Sequence, residues 1–286
     1  MTPEVHEDAP DRIDPAVTEA DKPRSSPQAM GLKDDFVMAL RFFSRLPTGD
    51  SPHLPPHLGR IAMALPLASL VMGIIPALLL IGGTMAGLPS YFAAVLAVGA
   101  MVVVGGGMME DALADAADGL FGGSTRERRL EILKDSRHGT FAVAALCLFL
   151  LLRVTALGSV AATNPLAAAG IWLAANIAGR SGGLWVAVAL PPARSDGASA
   201  AAGMLPGSRF AVGAALAMLL AFLLGAPFTS LVGLALALVA TGLVAVGWTA
   251  LCRRLVGGQT GDLIGAAGGL GEVAALSLLL IFTPLP

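Results

Sequence analysis

The sequence predicts an all-α, polytopic membrane helical bundle of about seven spans, with an interfacial helix ahead of them and a cytoplasmic helical hairpin between them. Three observations carry that reading. Of the 286 residues, 55% are hydrophobic and 13% charged, against roughly 25% charged in an ordinary soluble domain. A helical span needs about 20 apolar residues, and the runs 61–109 and 210–252 contain no charged residue at all. The remaining charges are gathered into a few short stretches. The net charge of −2 therefore says little about partners, and nothing in it calls for nucleic acid.

Taken in order, residues 1–30 form an acidic tail rich in Asp, Glu, Pro and Ala without apolar periodicity, expected to be disordered. It lacks the basic start and apolar core of a signal peptide. The remainder, 31–286, is expected to be one integral-membrane domain. Its first piece, DDFVMALRFFSRL at 34–46, places Phe36, Val37, Leu40, Phe43 and Leu46 near helical spacing but is too short to span, which suits an interfacial amphipathic helix. Arg41 and Arg45 on it would meet lipid headgroups or substrate phosphate. His53 and His57 are four apart, but Pro52, Pro55 and Pro56 around them argue for a loop and not a helical metal pair.

The predicted spans are 61–83, 89–109, 141–162, 166–190, 210–225, 230–252 and about 263–282. The turns near Ala86, Asn164 and Ala226 carry no charge, whereas the other side holds Arg60, the five Lys/Arg of 111–139, Arg194, Arg209, Arg253 and Arg254. The positive-inside bias then places the N-terminus and all polar loops in the cytoplasm, and an odd number of spans places the C-terminus outside. Cys147 and Cys252 lie in or at the end of apolar segments, with no Cys or His cluster nearby, and read as inert packing residues.

The chemistry is concentrated in residues 105–140, GGGMMEDALADAADGLFGGSTRERRLEILKDSRHGT. On a helix Asp111, Asp115 and Asp118 sit at i, i+4 and i+7 and share one face. Three such carboxylates repel one another unless a cation neutralises them, and Mg²⁺, shared with substrate phosphates, is the expected occupant. A solvated helix end is the plainer reading, but no Lys or Arg lies between Gly105 and Gly123. Ser124 and Glu127 read as a capping box opening a helix over about 125–136 that turns Leu130 and Leu133 inward. Its end carries Lys134, Asp135 and Arg137, which suit the negative helix terminus or, if the hairpin folds back, the phosphates over the Asp stripe. His138 would be an additional donor.

Two arginines fall within spans. Charge at membrane depth needs a cavity or partner, and Arg180, heading RSGG, marks a possible break in the fourth span and a functional candidate; Arg153 is the weaker one. At 257–262, GGQTGD opens the last span. Gly258 and Thr260 belong to a glycine-rich helix start of the kind that holds anions, and Asp262 is either a helix-start residue or a further metal ligand. Gly261, Gly265 and Gly269 form a small-residue stripe suited to close helix packing, and Glu272 needs a polar partner such as an intramembrane arginine.

The runs DALADAADGLFGG, RERRLEILKDSRHGT and GGQTGDLIGA, with the earlier RFFSRLP, resemble the cobalamin synthase family of ribazoletransferases, in order from about Phe36 to the end. The resemblance implies that adenosylcobinamide-GDP is joined to α-ribazole or its 5′-phosphate with release of GMP, using Mg²⁺, in the bacterial inner membrane. The expected partners are those substrates, membrane lipid and other late corrinoid enzymes. The implied mechanism is phosphoryl transfer by positioning and charge neutralisation. Asp111, Asp115 and Asp118 would hold Mg²⁺, Lys134 and Arg137 would neutralise the diphosphate, and the α-ribazole 5′-oxygen would attack the corrinoid-side phosphorus. One carboxylate or Asp135 would accept the proton. Arg45, Arg180, Gly258, Thr260 and Asp262 would bind substrate. The sequence departs from the family in reading Met109-Glu110-Asp111-Ala112 where His-x-Asp-Gly is usual, so no histidine role transfers to Met109. Two rivals fare worse. A CDP-alcohol phosphotransferase needs Ala-Arg two residues after its Asp-Gly, where this chain has Gly122-Gly123 after Leu120-Phe121. A transporter would account for Arg153 and Arg180 but not for Asp, Lys and Arg gathered in one hairpin.

Overall fold

The computed structural model describes residues 31–49, 57–135 and 137–283; the tail 1–30 and the loop holding His53 lie outside the described residues. Every element named below is a helix, and among the described residues the one β-feature is an isolated bridge between Pro192 and Gln259.

Helix α1 (Leu32–Phe43) is amphipathic and buries Met38, Ala39 and Leu40 against α2 (Leu58–Met85). Its buried Asp35 pairs with Arg60 of α2, so the predicted interfacial helix is fastened to the bundle. Arg41 closes the segment after it, donating to Thr48 Oγ1 at 2.6 Å and to the Gly49 carbonyl at 2.9 Å. Helix α3 (Ser90–Val104) ends five residues before the predicted span does, and the chain turns by 86° into α4 (Met108–Gly122), the Asp-bearing helix. The turn needs left-handed backbone at Gly106 (φ +62°) and Gly107 (φ +69°), which glycine adopts without steric cost.

The hairpin continues with α5 (Arg126–Ile132). It is shorter than the predicted 125–136, and its cap is displaced by one residue. The Thr125 hydroxyl, not Ser124, accepts the Arg128 N–H, at 3.2 Å. At the other end the amides of Lys134 and Asp135 bond back only three residues, to Glu131 and Ile132, tightening the last turn so that Leu133 closes onto Gly119. Leu133 is buried and Leu130 half-buried, both inward as predicted.

Then follow α6 (Thr140–Ala161), α7 (Pro165–Gly183), α8 (Trp185–Ala189), α9 (Ala198–Ala202), α10 (Gly207–Gly225), α11 (Leu231–Val256) and α12 (Gly261–Phe282). Helix α7 opens on an Asn164 cap, whose Oδ1 accepts the Ala167 N–H at 2.9 Å, with Pro165 in the first turn. It is buried along nearly its whole length. The predicted fourth span breaks after Gly183, directly past the RSGG run. Among the described residues five helices, α2, α6, α10, α11 and α12, are long and apolar enough to cross a membrane, and the bent α3–α4 pair would make six. The predicted count of seven is not confirmed, because Asn176, Arg180 and Ser181 dilute α7 and because α3 stops at Val104.

Contacts sort the bundle into two ends. At one, the start of α2 meets Arg209 in the first turn of α10, and the start of α6 meets Asp118. At the other, Tyr91 packs on Gly158, Phe228 on Gly170 and Phe282 on Gly233. The first end collects the charged loops; the second is the charge-free side of the sequence.

Between the two ends lies a buried ion cluster. Arg153 of α6, fully enclosed, sits 2.9 Å from Glu110 of α4 through Nη1 and 2.9 Å from Glu272 of α12 through Nε. Glu272 also accepts from Trp172 Nε1 at 3.0 Å and Asn176 Nδ2 at 2.8 Å, both on α7. The Arg153 guanidinium lies 4.8 Å from the Phe149 ring centroid and 5.5 Å from that of Trp172. The intramembrane partner that Glu272 required is therefore Arg153. Removing one member of a buried pair strands the other charge, at a cost on the order of 3–5 kcal/mol. Glu272→Ala is expected to lower the unfolding midpoint in detergent by that order, read by thermal or denaturant melting; a midpoint equal to wild type would show the cluster to be energetically idle.

Candidate active site

Helix α4 crosses α12 at very short range. A Cβ built on Gly265 would come within 2.6 Å of Ala112 Cβ, and Met109 lies against Gly268 and Gly269. The small-residue stripe thus serves as the seat of α4, through Gly265 and Gly269, whereas Gly261 has open space around it. With that crossing fixed, the Asp stripe meets the start of α12. The charges of Asp111 and Asp262 both act on Asp115, and burial together with those carboxylates and Asp118 pushes its pKa up to about 6. His138 opposes the rise, its Nδ1 standing 3.8 Å from Asp115 Oδ1. Asp115 lies well past the bend, where α4 reaches the polar end of the bundle.

The three stripe residues are not equivalent. Asp118, buried, turns both oxygens to the start of α6, accepting the Gly139 N–H and, at 3.0 Å, the Ala142 N–H. It caps that helix. Asp111 is exposed and Asp115 half-buried, so these two, with Asp262, are the carboxylates open to a ligand. Among the described residues no group of three His, Cys, Asp or Glu side chains forms a ready-made metal cage. The donor chemistry nevertheless fits Mg²⁺, which is characteristically held by one or two carboxylates and completed by water and substrate phosphate. The mutual repulsion registered at Asp115 is what such a cation would relieve.

The basic arm has carboxylate partners of its own. Lys134 Nζ bonds Asp196 Oδ2 at 2.7 Å, and Arg137 bonds Asp135 at 3.0 Å through Nε and 2.7 Å through Nη2. That fork holds the Asp135 pKa down to about 2, a weak base for the proton-accepting role envisaged from sequence. Lys134 and Arg137 are thus paired with carboxylates other than those of the Asp stripe.

The structure brings the loop after α8 to the start of α12. The Ala193 N–H donates to the Gln259 carbonyl at 2.9 Å and the Gln259 N–H to the Pro191 carbonyl at 2.8 Å. Gly258 is required by this approach, since a Cβ there would lie 2.6 Å from Ala193 Cα. Thr260 is fully buried and caps α12, accepting the Leu263 N–H at 3.3 Å, with its hydroxyl 3.4 Å from Asp262 Oδ2. Arg194, the next residue on the stitched loop, lies within electrostatic reach of Asp262. Sequence reasoning passed over it. Its one signal was being the single cation in the PPARSDG loop, and nothing local tells which surface such a loop joins.

Arg45 and Arg180 each reach the turn at the other end of α4. The Arg45 amide donates to the Val104 carbonyl at 2.8 Å and its side chain runs across Gly106. Arg180, buried, approaches Gly105 from within. Glu110 is engaged by Arg153, and Met109 is a packing residue against α12.

The raised Asp115 pKa has a thermodynamic consequence. A carboxyl whose pKa is about 6 in the fold, against roughly 3.9 unfolded, favours the folded state below the unfolded value and loses that contribution as pH rises through about 6. In divalent-free buffer, Asp115→Asn is expected to flatten the fall in melting temperature between pH 5 and 7 that wild type shows; identical pH profiles would remove Asp115 as its source.

Comparison with known proteins identifies the family. The family model described as cobalamin-5-phosphate synthase matches residues 35–280. An adenosylcobinamide-GDP ribazoletransferase of Azorhizobium caulinodans is 46% identical over 253 residues, 87% of this chain and 96% of that protein. Proteins of the same name from Bradyrhizobium diazoefficiens and Xanthobacter autotrophicus are each 41% identical, over 87% and 88% of this chain and 94% and 97% of their own lengths. No solved structure matches the chain. The family model and these near full-length relatives together establish that the chain belongs to the cobalamin-5-phosphate synthase family.

Proposed function

We propose that this chain is an adenosylcobinamide-GDP ribazoletransferase, joining adenosylcobinamide-GDP to α-ribazole 5′-phosphate or α-ribazole and releasing GMP. The observation that carries the reading is the convergence of Asp111 and Asp115 with Asp262 at the polar end of the bundle, in a chain whose relatives bear that name over nearly their full length. The name of the family's product, cobalamin-5-phosphate, corrects one sequence expectation. A product phosphorylated at the 5′ position leaves the 5′-oxygen unavailable as nucleophile, so another ribose hydroxyl attacks the corrinoid-side phosphorus.

Asp111, Asp115 and Asp262 are the residues assigned to hold Mg²⁺, with Asp118 fixing the helix start beside them. Bound there, Mg²⁺ would supply charge neutralisation for the diphosphate. One of these carboxylates would take the proton from the attacking hydroxyl. Lys134 and Arg137 are met by Asp196 and Asp135 in exposed pairs, which are weak, and are free to exchange those partners for substrate phosphate. Arg45 and Arg180, flanking the bend before α4, are assigned to substrate binding. Gly258 and Thr260 contribute by holding the loop that presents Asp262. The membrane is assigned as the bacterial inner membrane, with the N-terminus and polar loops cytoplasmic, and other late corrinoid enzymes are natural neighbours there.

Two measurements test this. Purified wild type should release GMP from adenosylcobinamide-GDP and α-ribazole 5′-phosphate in a Mg²⁺-dependent manner, and Asp115→Asn should reduce the rate by at least about 100-fold while remaining folded in detergent; wild-type turnover in that variant would remove Asp115 from the reaction. For orientation, single cysteines at Ser124 and Thr163, in protein lacking Cys147 and Cys252, should label from opposite faces of the membrane. Periplasmic labelling of both would overturn the assigned topology.

A further inference from the structure

The backbone around Arg194 is held on every side. Ala193 is bonded through its amide to Gln259 and through its carbonyl, at 3.4 Å, to Arg126 Nη2. Asp196, two residues on, is tied to Lys134. The loop is thus anchored to α5 and to the entrance of α12, and the Arg194 side chain is directed by backbone that has little freedom to move. Despite this, Nε and Nη1 of Arg194 are sealed from solvent with no hydrogen-bond partner among the described residues. Asp262 and Asp196 both lie within its electrostatic reach. Asp196 is already bonded by Lys134, and Asp262 lies beside the Thr260 hydroxyl.

Leaving guanidinium donors buried and unpaired is costly, and the cheap remedy, an ion pair with Asp262, has not formed. Arg194 as a whole is only half-buried, so a turn of its side chain would present these donors to a bridging group with acceptor oxygens. A phosphate has that character, and its planar pairs of oxygens match the guanidinium fork. Resting on the ribazoletransferase reading, we propose that Arg194 is a substrate-binding residue of the active site, donating through Nε and Nη1 to the diphosphate of the nucleotide-activated substrate opposite Asp262. It is the cation held beside Asp262, whereas Lys134 and Arg137 are paired with Asp196 and Asp135 in this structure. The ligand class is a nucleoside diphosphate ester, for which GDP is the available probe.

The experiment compares wild type, Arg194→Ala and Arg194→Lys in detergent, measuring GDP binding in the presence of Mg²⁺, Mg²⁺ binding alone, and GMP release. Arg194→Ala is expected to weaken GDP binding and lower kcat/KM by roughly 10- to 100-fold, the range for hydrogen bonds to charged groups, while Mg²⁺ binding alone is not weakened. Arg194→Lys retains the charge but not the fork, and is expected to recover only a minor part of the loss. Unchanged GDP affinity in Arg194→Ala would overturn the proposal and leave Arg194 as a neutraliser of Asp262. Full recovery by lysine would overturn the forked contact. If the alanine variant does not fold, the lysine variant decides, and wild-type GDP affinity in it counts against the proposal. Failure of wild type to release GMP would count against the ribazoletransferase reading, whereas the GDP comparison still reads Arg194.

Discussion

The rest of this structure depends on one buried arrangement, Arg153 of α6 held between Glu110 of α4 and Glu272 of α12. A charge inside an apolar bundle is tolerated only when opposite charge and hydrogen-bonding groups meet it from several directions. Here the directions are four helices, because Trp172 and Asn176 of α7 complete Glu272. Meeting that requirement fixes where α4 enters the bundle, since Glu110 stands next to Asp111 in the chain. The helix that carries the chemistry is therefore positioned by a contact made at depth, away from the carboxylates themselves.

From this anchor the site follows by packing. Ala112 fits the space left by the missing side chain at Gly265, and the crossing brings Asp111 and Asp115 to the mouth of α12, where Asp262 waits. The collected negative charge is unfavourable by itself, as the raised pKa of Asp115 records. A fold that keeps like charges together at such cost supports a cationic ligand or a proton at that point. Asp118 illustrates the opposite use of the same residue type. Its two oxygens serve backbone amides of α6, converting a member of the stripe into a joint between the hairpin and the next span.

The polar loops do more than connect spans. Arg129 donates to the Leu120 carbonyl at 3.1 Å and the Leu255 carbonyl at 3.4 Å, closing the ends of α4 and α11 together. Arg126 and Lys134 reach the loop after α8. The basic residues of α5 are thereby used largely to assemble the rim around the Asp cluster, which accounts for the family-like charge run without requiring each cation to touch substrate.

The sequence alone determined the membrane class, the segregation of charge to one end, the Asp stripe and the need of Glu272 for an arginine. Each follows from composition or from the period of a single helix, which are properties of local chain. It also determined the family, through motifs that are contiguous. Tertiary structure alone decided that Arg153 and not Arg180 meets Glu272, that Asp118 caps α6, that Lys134 and Arg137 turn to Asp196 and Asp135, and that Arg194 stands beside Asp262. The early end of α3 was likewise hidden, because an apolar run reads continuously across the 86° bend at Gly106 and Gly107. These outcomes depend on which surfaces meet across long stretches of chain, and helical periodicity says which face a residue occupies but not what that face will find.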